Sequence, residues 1–214
     1  MSTWFLPVSE SGEGFGPAAG VAFDVSPGTV VEPSQSGQLA RIWDAPERCE
    51  GWRWPARLAE VEPVAGQVQF WSPHAGEASA LTVVSVVDGM PLWGPNGRGV
   101  LAFEKRARST SDEQAATIAG AWLRIPNPAR RAALGALRKT VEKAGRGGAS
   151  VAARALAVAA FESQEHRLGR RVAEPVRAAL RAAVSCVIVR DVVKDARSGL
   201  TQKGFDLLTS PWQT

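Results

Sequence analysis

Alternating apolar and polar positions mark the chain between residues 57 and 87. Residues 57–62 and 66–71 both alternate, which is typical of strands with one buried face. Residues 81–87 form a compact apolar run that ends at Asp88-Gly89, and this predicts a central strand followed by a turn. Upstream, residues 21–25 and 29–32 predict a hairpin around Ser26-Pro27-Gly28, and residues 38–43 predict another strand or a helical turn.

From residue 109 the apolar positions recur every three or four residues, as in helices. Ser111 with Gln114 predicts a capping box for a first helix that ends near Trp122. Asn127-Pro128 predicts the start of a second helix that ends at Gly145. A third helix is expected to start at Ser150. The next is expected to hold Pro175 in its first turn and to end at Gly199, and a short last helix is expected to start at Thr201.

Composition and charge divide at the same place. Residues 1–108 carry 8 Lys/Arg, 12 Asp/Glu and most of the Trp residues, whereas residues 109–214 carry 17 Lys/Arg and 9 Asp/Glu in Ala-rich sequence. The chain is therefore predicted to be an α+β protein with a small, mostly antiparallel β region followed by an α-helical bundle. The predicted domains are an acidic Gly/Pro/Trp-rich β region over 1–108 and a basic helical bundle over 109–214.

The cysteine count and the pattern of apolar segments favour a cytoplasmic protein. Two cysteines far apart do not indicate a disulfide framework, no basic and apolar leader is present, and no apolar run approaches 18 residues. We therefore expect no membrane association, and a location in the host cytoplasm, or in a virion if a phage encodes the chain. The pI near 9.6 suggests an anionic partner, but the ratio of 20 Arg to 5 Lys also fits coding bias in a GC-rich genome.

No motif with catalytic, metal or cofactor chemistry stands out, so no catalytic residue, metal or cofactor is predicted. The glycines at Gly14 and Gly16 match part of a dinucleotide loop but lack the buried strand and the helix that this loop requires. The two histidines, His74 and His166, show no metal-ligand spacing with the cysteines. An enzyme of unfamiliar type remains an alternative, and the polar residues to test for it are Glu60, Glu62, Cys49 and His74.

Two sets of side chains are candidates for binding. Basic residues on the predicted helices would contact an anion or a nucleic acid if their faces converge; otherwise they form the solvated exterior of the bundle. The basic candidates are Arg130, Arg131, Arg138, Lys139, Arg167, Arg170, Arg171, Arg177 and Arg181. Tryptophans of the acidic region are core residues or, where exposed, protein contacts. These candidates are Trp43, Trp52, Trp54, Trp71 and Trp93.

Five short segments carry a resemblance to known proteins: residues 57–62, 81–84, 189–193, 200–201 and 205–212. They resemble a group of proteins from high-GC actinobacteria and their phages, and the similarity covers roughly residues 55–214 in patches. Many members carry Ala-Trp repeats in the helices, whereas this chain has only Trp122 there, so its helix packing is expected to differ. The resemblance implies an origin and a layout, with a small β region before Ala-rich helices, but no reaction.

The leading hypothesis is a non-catalytic protein-interaction or assembly protein, such as a phage or phage-defence accessory protein. The absence of recognised chemistry, the Trp-rich β sequence and the split in charge support it. The alternatives are a nucleic-acid-binding protein that uses the basic helical half, and the enzyme named above. A protein partner is expected first and a nucleic acid second.

Overall fold

The structure is a computed structural model that describes residues 3–15, 19, 22–33, 39–162, 168–193 and 199–213. The chain forms two compact units, residues 1–94 and residues 95–214. The first helix belongs to the second unit, so the division lies at Gly94–Pro95 rather than at residue 108. This division sharpens the charge difference, because residues 1–94 carry 4 Lys/Arg and 11 Asp/Glu, and residues 95–214 carry 21 and 10.

The first unit contains one antiparallel sheet, and the second consists of helices, so the predicted α+β class is confirmed. The strands are β1 (Trp4–Val8), β2 (Val30–Val31), β3 (Ala40–Trp43), β4 (Arg57–Pro63), β5 (Val68–Ser72), β6 (Ala75–Ala78) and β7 (Leu81–Asp88). Their order across the sheet is β2-β7-β4-β1-β3-β6-β5. The alternating segments and the apolar run thus form β4, β5 and β7, as predicted.

The sheet curls around its own hydrophobic core. Buried side chains from β1, β2, β3, β4, β6 and β7 form one cluster that includes Leu6, Ile42, Val61 and Leu81. The rings of Trp4 on β1 and Phe70 on β5 lie 4.7 Å apart, although β3 and β6 separate these strands in the sheet. One face of the sheet therefore closes on itself and buries its apolar side chains, which is the main stabilising contribution.

Two strands of this sheet were missed from the sequence, and one predicted strand is wrong. β1 contains Pro7, and proline is rare in a central strand because it has no backbone N–H to donate. Because β1 pairs with β3 only at Phe5, the pairing on that side does not require an N–H from Pro7. β6 has small residues in place of an apolar alternation, and the Phe70 ring covers Gly76. Residue 21 lies outside the described residues, and residues 22–25 contain only an isolated bridge at Ala22.

Six α-helices are described in the second unit. They are α1 (Gly97–Arg108), α2 (Asp112–Arg124), α3 (Asn127–Lys143), α4 (Gly147–Glu162), α5 (Arg170–Ile188) and α6 (Gln202–Thr209). None of the helices within the described residues is long and apolar enough to cross a membrane.

The caps at Ser111 and Thr201 are confirmed, and other predicted boundaries are wrong. Ser111 Oγ accepts the Gln114 N–H at 3.2 Å, and Thr201 Oγ1 accepts the Gly204 N–H at 3.2 Å. Asn127 is the first helical residue rather than a side-chain cap. The other corrections are that α4 begins three residues before Ser150, that Pro175 lies beyond the first turn of α5, and that α5 ends at Ile188 rather than near Gly199.

The fifth helix is the centre of the second unit. Most of α5 is buried, including the predicted stripe of Val176, Leu180, Val184, Val187 and Ile188. Complete burial of one such side chain stabilises the fold by about 1.5–3 kcal/mol. The helices α4 and α5 pack against each other, and both carry many buried alanines. These are Ala149, Ala152, Ala153, Ala157 and Ala160 on α4, and Ala179, Ala182 and Ala183 on α5.

Candidate binding groove

A groove with a volume of about 620 Å³ lies among α2, α3, α4 and α5. This volume is within the range of small-ligand and peptide sites. Each of three helices contributes one face to its lining. The lining residues are Trp122 on α2; Leu134, Gly135, Leu137, Arg138, Val141 and Glu142 on α3; Gly147, Ser150, Val151 and Arg154 on α4; and Ala178, Arg181, Ala182 and Ser185 on α5.

Helical spacing explains why these side chains meet. On α4, Gly147, Ser150, Val151 and Arg154 occupy positions i, i+3, i+4 and i+7, so they share one face. The lining residues of α3 and α5 follow the same spacing. The lined part of α4 covers about 10 Å along the helix axis at 1.5 Å per residue, or about two helical turns.

The walls of the groove are largely apolar and partly open to solvent. Trp122, Leu137 and Val141 are buried, whereas Leu134 is 37% exposed and Val151 is 59% exposed. Two large aliphatic side chains thus reach water at a concave surface. Covering such a surface with an apolar side chain of a ligand lowers the free energy, because it removes apolar area from water.

Three arginines give the groove its charge. Arg138, Arg154 and Arg181 line it, and among the described residues neither Arg154 nor Arg181 has a carboxylate or hydrogen-bond partner. Glu142 is the carboxylate of the lining, and its Oε1 lies 3.8 Å from Arg138 Nε. Three guanidinium groups against one carboxylate favour an anionic ligand.

Arg146 fixes the start of α4 against the end of α5. Its Nη1 and Nη2 donate to Asp191 Oδ1 and Oδ2 at 2.6 and 2.8 Å, and Nη1 also donates to the carbonyl of Ile188. Asn96 Nδ2 donates to the same carboxylate at 2.7 Å. The hydrogen bonds from Arg146 hold the pKa of Asp191 below its ordinary value of 3.8. We call this group the Arg146 clamp; it sets the position of the α4 face in the groove.

Of the predicted basic residues that the structure describes, the groove brings together two, Arg138 and Arg181. Arg130 contacts Trp122, because its Nη1 donates to the Trp122 carbonyl at 3.0 Å and its guanidinium lies 5.2 Å from the centre of that ring. Arg177 is a correction: it is 8% exposed and donates to Glu174 at 2.7 Å, so it is no surface contact.

The other predicted basic residues lie elsewhere. Arg131 and Lys139 are exposed on α3, Arg170 and Arg171 are exposed at the start of α5, and none of them lines the groove. Arg167 falls outside the described residues. The described basic candidates therefore do not all line the groove.

Sequence reasoning missed Arg154, Ser150 and Ser185 as groove residues. The available signal was local: Ser150 and Arg154 are four residues apart in an otherwise apolar, Ala-rich helix. Ser185 is 8% exposed, and no described residue exchanges a hydrogen bond with its hydroxyl group.

Most of the candidate tryptophans are structural. Trp52 and Trp93 are fully buried with their rings 4.8 Å apart, Trp43 is buried, and Trp54 is half-buried beside Trp93. Trp71 on the edge strand β5 is 53% exposed, with Arg41 5.8 Å from its ring centre. Of the five, Trp71 offers the largest accessible ring to a partner.

The residues selected for an unfamiliar enzyme do not share one site. His74 Nδ1 lies 2.7 Å from Asp44 Oδ2 and 2.6 Å from Arg48 Nη1, and Arg48 donates to both oxygens of Asp44. Burial pushes the pKa of Asp44 upward, but hydrogen bonds with His74 and Arg48 outweigh it and hold that pKa below its usual value. Glu60 lies on β4 and accepts a hydrogen bond from Ser85 on β7 at 2.7 Å.

Both thiols are shielded. Burial raises the pKa of Cys49 well above its usual value, and nearby Glu47 adds to the effect. Burial also raises the pKa of Cys186. A nucleophilic cysteine requires a lowered pKa and access to solvent, so neither environment activates its thiol. Within the described residues, no group of three or more His, Cys, Asp or Glu side chains is placed to hold a metal ion.

Comparisons of the chain with protein-family models, with curated proteins and with solved structures return no match.

Proposed function

We propose that the chain is a non-catalytic interaction protein whose groove docks an acidic, amphipathic helical segment of a partner protein. The observation that carries this proposal is the combination of exposed Leu134 and Val151 with Arg138, Arg154 and Arg181 around one groove. An amphipathic helix lays its apolar face into a hydrophobic groove and presents its charges at the rim. Acidic rim residues on the partner match the three guanidinium groups of this site.

The dimensions support a short helical contact. The lined part of α4 covers about two turns, which is enough to receive side chains from three or four positions of a docked helix. Aliphatic burial supplies affinity, and the arginines supply orientation and faster association. A duplex nucleic acid would present phosphates without apolar side chains, and it would leave Leu134 and Val151 uncovered. The groove therefore favours the protein partner over the nucleic acid.

Affinity capture with charge-reversed variants tests the proposal. The full chain, an Arg138→Glu/Arg181→Glu variant and an Arg131→Glu/Arg170→Glu control are used to capture proteins from cells of the source organism. The control changes net charge equally at exposed positions outside the groove. Circular dichroism first establishes that all three chains fold.

The expected result is a partner whose recovery falls at least tenfold for the groove variant and stays within twofold for the control. The docking segment of that partner, made as a peptide, is expected to bind the chain and to bind Val151→Asp more weakly. Equal loss in both double variants contradicts the proposal, because it indicates attraction by net charge alone. Displacement of the partner by duplex DNA at low salt favours the nucleic-acid alternative instead.

A further inference from the structure

The strand β5 lies at the end of the sheet, so one of its two edges has no neighbour among the described strands. Most of its residues are exposed, including Phe70 at 48% and Trp71 at 53%. Such an edge presents unpaired backbone N–H and C=O groups, which makes it a template for pairing with another strand. The opposite edge of the sheet, β2, has only two residues, whereas β5 has five.

The hydrogen bonds between β5 and β6 show which backbone groups of β5 are already paired. The Ser79 N–H donates to the Gln67 carbonyl at 2.8 Å, at the start of this pair of strands. Opposite residues of antiparallel strands alternate between hydrogen-bonded and non-hydrogen-bonded pairs. The pair two positions along, Gln69 with Glu77, is therefore hydrogen-bonded as well.

Val68 and Phe70 occupy the alternate positions, so their backbone N–H and C=O groups point away from β6 and toward the free edge. The far side of β6 agrees with this direction. The Asp44 N–H donates to the His74 carbonyl at 3.0 Å, so two positions along β6 the backbone of Gly76 bonds to β3 rather than to Phe70. β5 thus offers two donors and two acceptors to another strand.

We propose that β5 pairs with β5 of a second copy of this chain, antiparallel and with Gln69 opposite Gln69. In this register Val68 of each copy lies opposite Phe70 of the other, and the two donors and two acceptors of one strand meet those of its symmetry mate. An aromatic residue opposite a β-branched residue is a favourable cross-strand pair. The bulge at Trp71 ends the ladder after these four hydrogen bonds.

Charge favours a second copy over a basic partner. Residues 66–72 include no charged side chain, so self-pairing places no like charges opposite each other. They also lack the Lys and Pro residues that protect many edge strands. On β6, Glu77 is paired with Arg41 at 3.1 Å. A basic partner strand would therefore find no unpaired carboxylate on β5 or β6, although the first unit as a whole is acidic.

The size of the contact predicts a weak dimer. Phe70 and Trp71 are about half exposed, and burial of an aromatic side chain removes about 150–250 Å² from water. Covering both rings would bury about 200 Å² in each copy, and the strand backbone adds to this area. A standard stable interface buries about 800 Å² per partner, so the dimer is expected to form only at high protein concentration. The edge belongs to the first unit, and this inference is independent of the groove.

Cysteine cross-linking of the full chain tests this register. Residues opposite each other in a non-hydrogen-bonded pair have Cα atoms about 4.5 Å apart, within the range of a disulfide. Gln69→Cys is therefore expected to form a covalent dimer when diamide is added as the oxidant. Gln67→Cys is the control at another exposed position, because the two substituted residues would lie about 13 Å apart in this register. The native Cys49 and Cys186 are buried.

Sedimentation velocity at up to about 1 mM protein measures the dimer without a cross-link. Val68→Pro removes an N–H that faces the free edge and none that bonds to β6, and proline is tolerated at such edge positions. It is expected to weaken the dimer by about tenfold, because each dimer loses two hydrogen bonds. Val68→Ala keeps the N–H and is expected to weaken the dimer by about threefold. Thermal melting verifies that both variants fold.

Salt distinguishes this dimer from attraction between the acidic and basic units of different copies. Raising NaCl from about 0.05 to about 0.5 M is expected to preserve or strengthen the pairing of two acidic units, because it screens their repulsion. Attraction between unlike units weakens over the same range, so a dimer that dissociates in salt contradicts the inference.

Three further results overturn the inference. The first is a chain that stays monomeric at the highest concentration. The second is equal cross-linking of Gln69→Cys and Gln67→Cys, which indicates random collision. The third is equal dimerisation of Val68→Pro and Val68→Ala, because the edge N–H of Val68 would then take no part in the contact.

Discussion

Loss of the Arg146 clamp is expected to destabilise the helical unit, and the structure gives the size of the effect. The Arg146 side chain is 8% exposed and forms a bidentate ion pair with the carboxylate of Asp191, whose side chain is 37% exposed. Removing one partner of a buried ion pair costs about 3–5 kcal/mol. Because Asp191 keeps contact with water and with Asn96, we expect a smaller loss of about 2–3 kcal/mol for Arg146→Met.

Urea unfolding followed by far-ultraviolet circular dichroism measures this loss at constant ionic strength. For a unit of this size the loss corresponds to a drop in Tm of about 10 °C. Arg190→Met is the control, because Arg190 is exposed next to Asp191 and takes no part in the clamp. Its unfolding free energy is expected to stay within about 0.5 kcal/mol of wild type.

The effect of pH gives an independent check. The clamp lowers the pKa of Asp191 in the folded state, so protonation favours the unfolded state. The stabilisation is complete above the ordinary pKa of 3.8 and is lost as the pH falls below it through the folded value. The difference in unfolding free energy between wild type and Arg146→Met is therefore expected to be smaller at pH 3 than at pH 7. A gap that stays constant, or equal stability at pH 7, refutes the assignment of the energy to this ion pair.

Two matched pairs of substitutions test the packing. Trp93→Ala is expected to lower the unfolding free energy by about 3–5 kcal/mol, because Trp93 is fully buried against two other indole rings. Trp71→Ala is expected to lower it by about 1 kcal/mol or less, because Trp71 is exposed on an edge strand. Urea unfolding measures both losses, and equal losses contradict this account of the core. Gly120→Ala is expected to stabilise α2 by about 0.5–1 kcal/mol because nothing lies near an added Cβ atom. Gly99→Ala is expected to destabilise α1 because its Cβ atom would lie 2.9 Å from Val187 Cγ1, and a rise in Tm for this variant contradicts the tight α1–α5 contact.

The parts of the fold that depend on neighbours in the sequence were predictable. The capping box at Ser111, the strand at β4 and the apolar stripe of α5 follow from local patterns, and each appears in the structure, although Leu58 and Ala59 are both buried, so burial along β4 does not strictly alternate. The start of α1 was not predictable in this way, because Gly97 and Gly99 are typical of turns. Contact of α1 with α5 stabilises a helix there, and that contact is invisible in the local sequence.

The groove was harder to predict than the fold because four separate helices build it. Arg177 and Arg181 are one turn apart, and the sequence indicates one basic face; Glu174 and burial instead remove Arg177 from the surface. Arg138 and Arg154 lie on different helices, and only tertiary packing brings them to the same groove as Arg181. A count of charges along the chain therefore indicates a basic unit without indicating which arginines line the groove.

The buried alanines of α4 and α5 have a consequence for how this groove can change during evolution. The two helices pack against each other and both line the groove. A larger side chain in place of a buried alanine forces its neighbours to shift, and a close-packed interior transmits that shift. Ala153 and Ala183 are buried and do not line the groove, so a valine at either position is expected to alter the shape of the groove without changing a residue that a ligand touches.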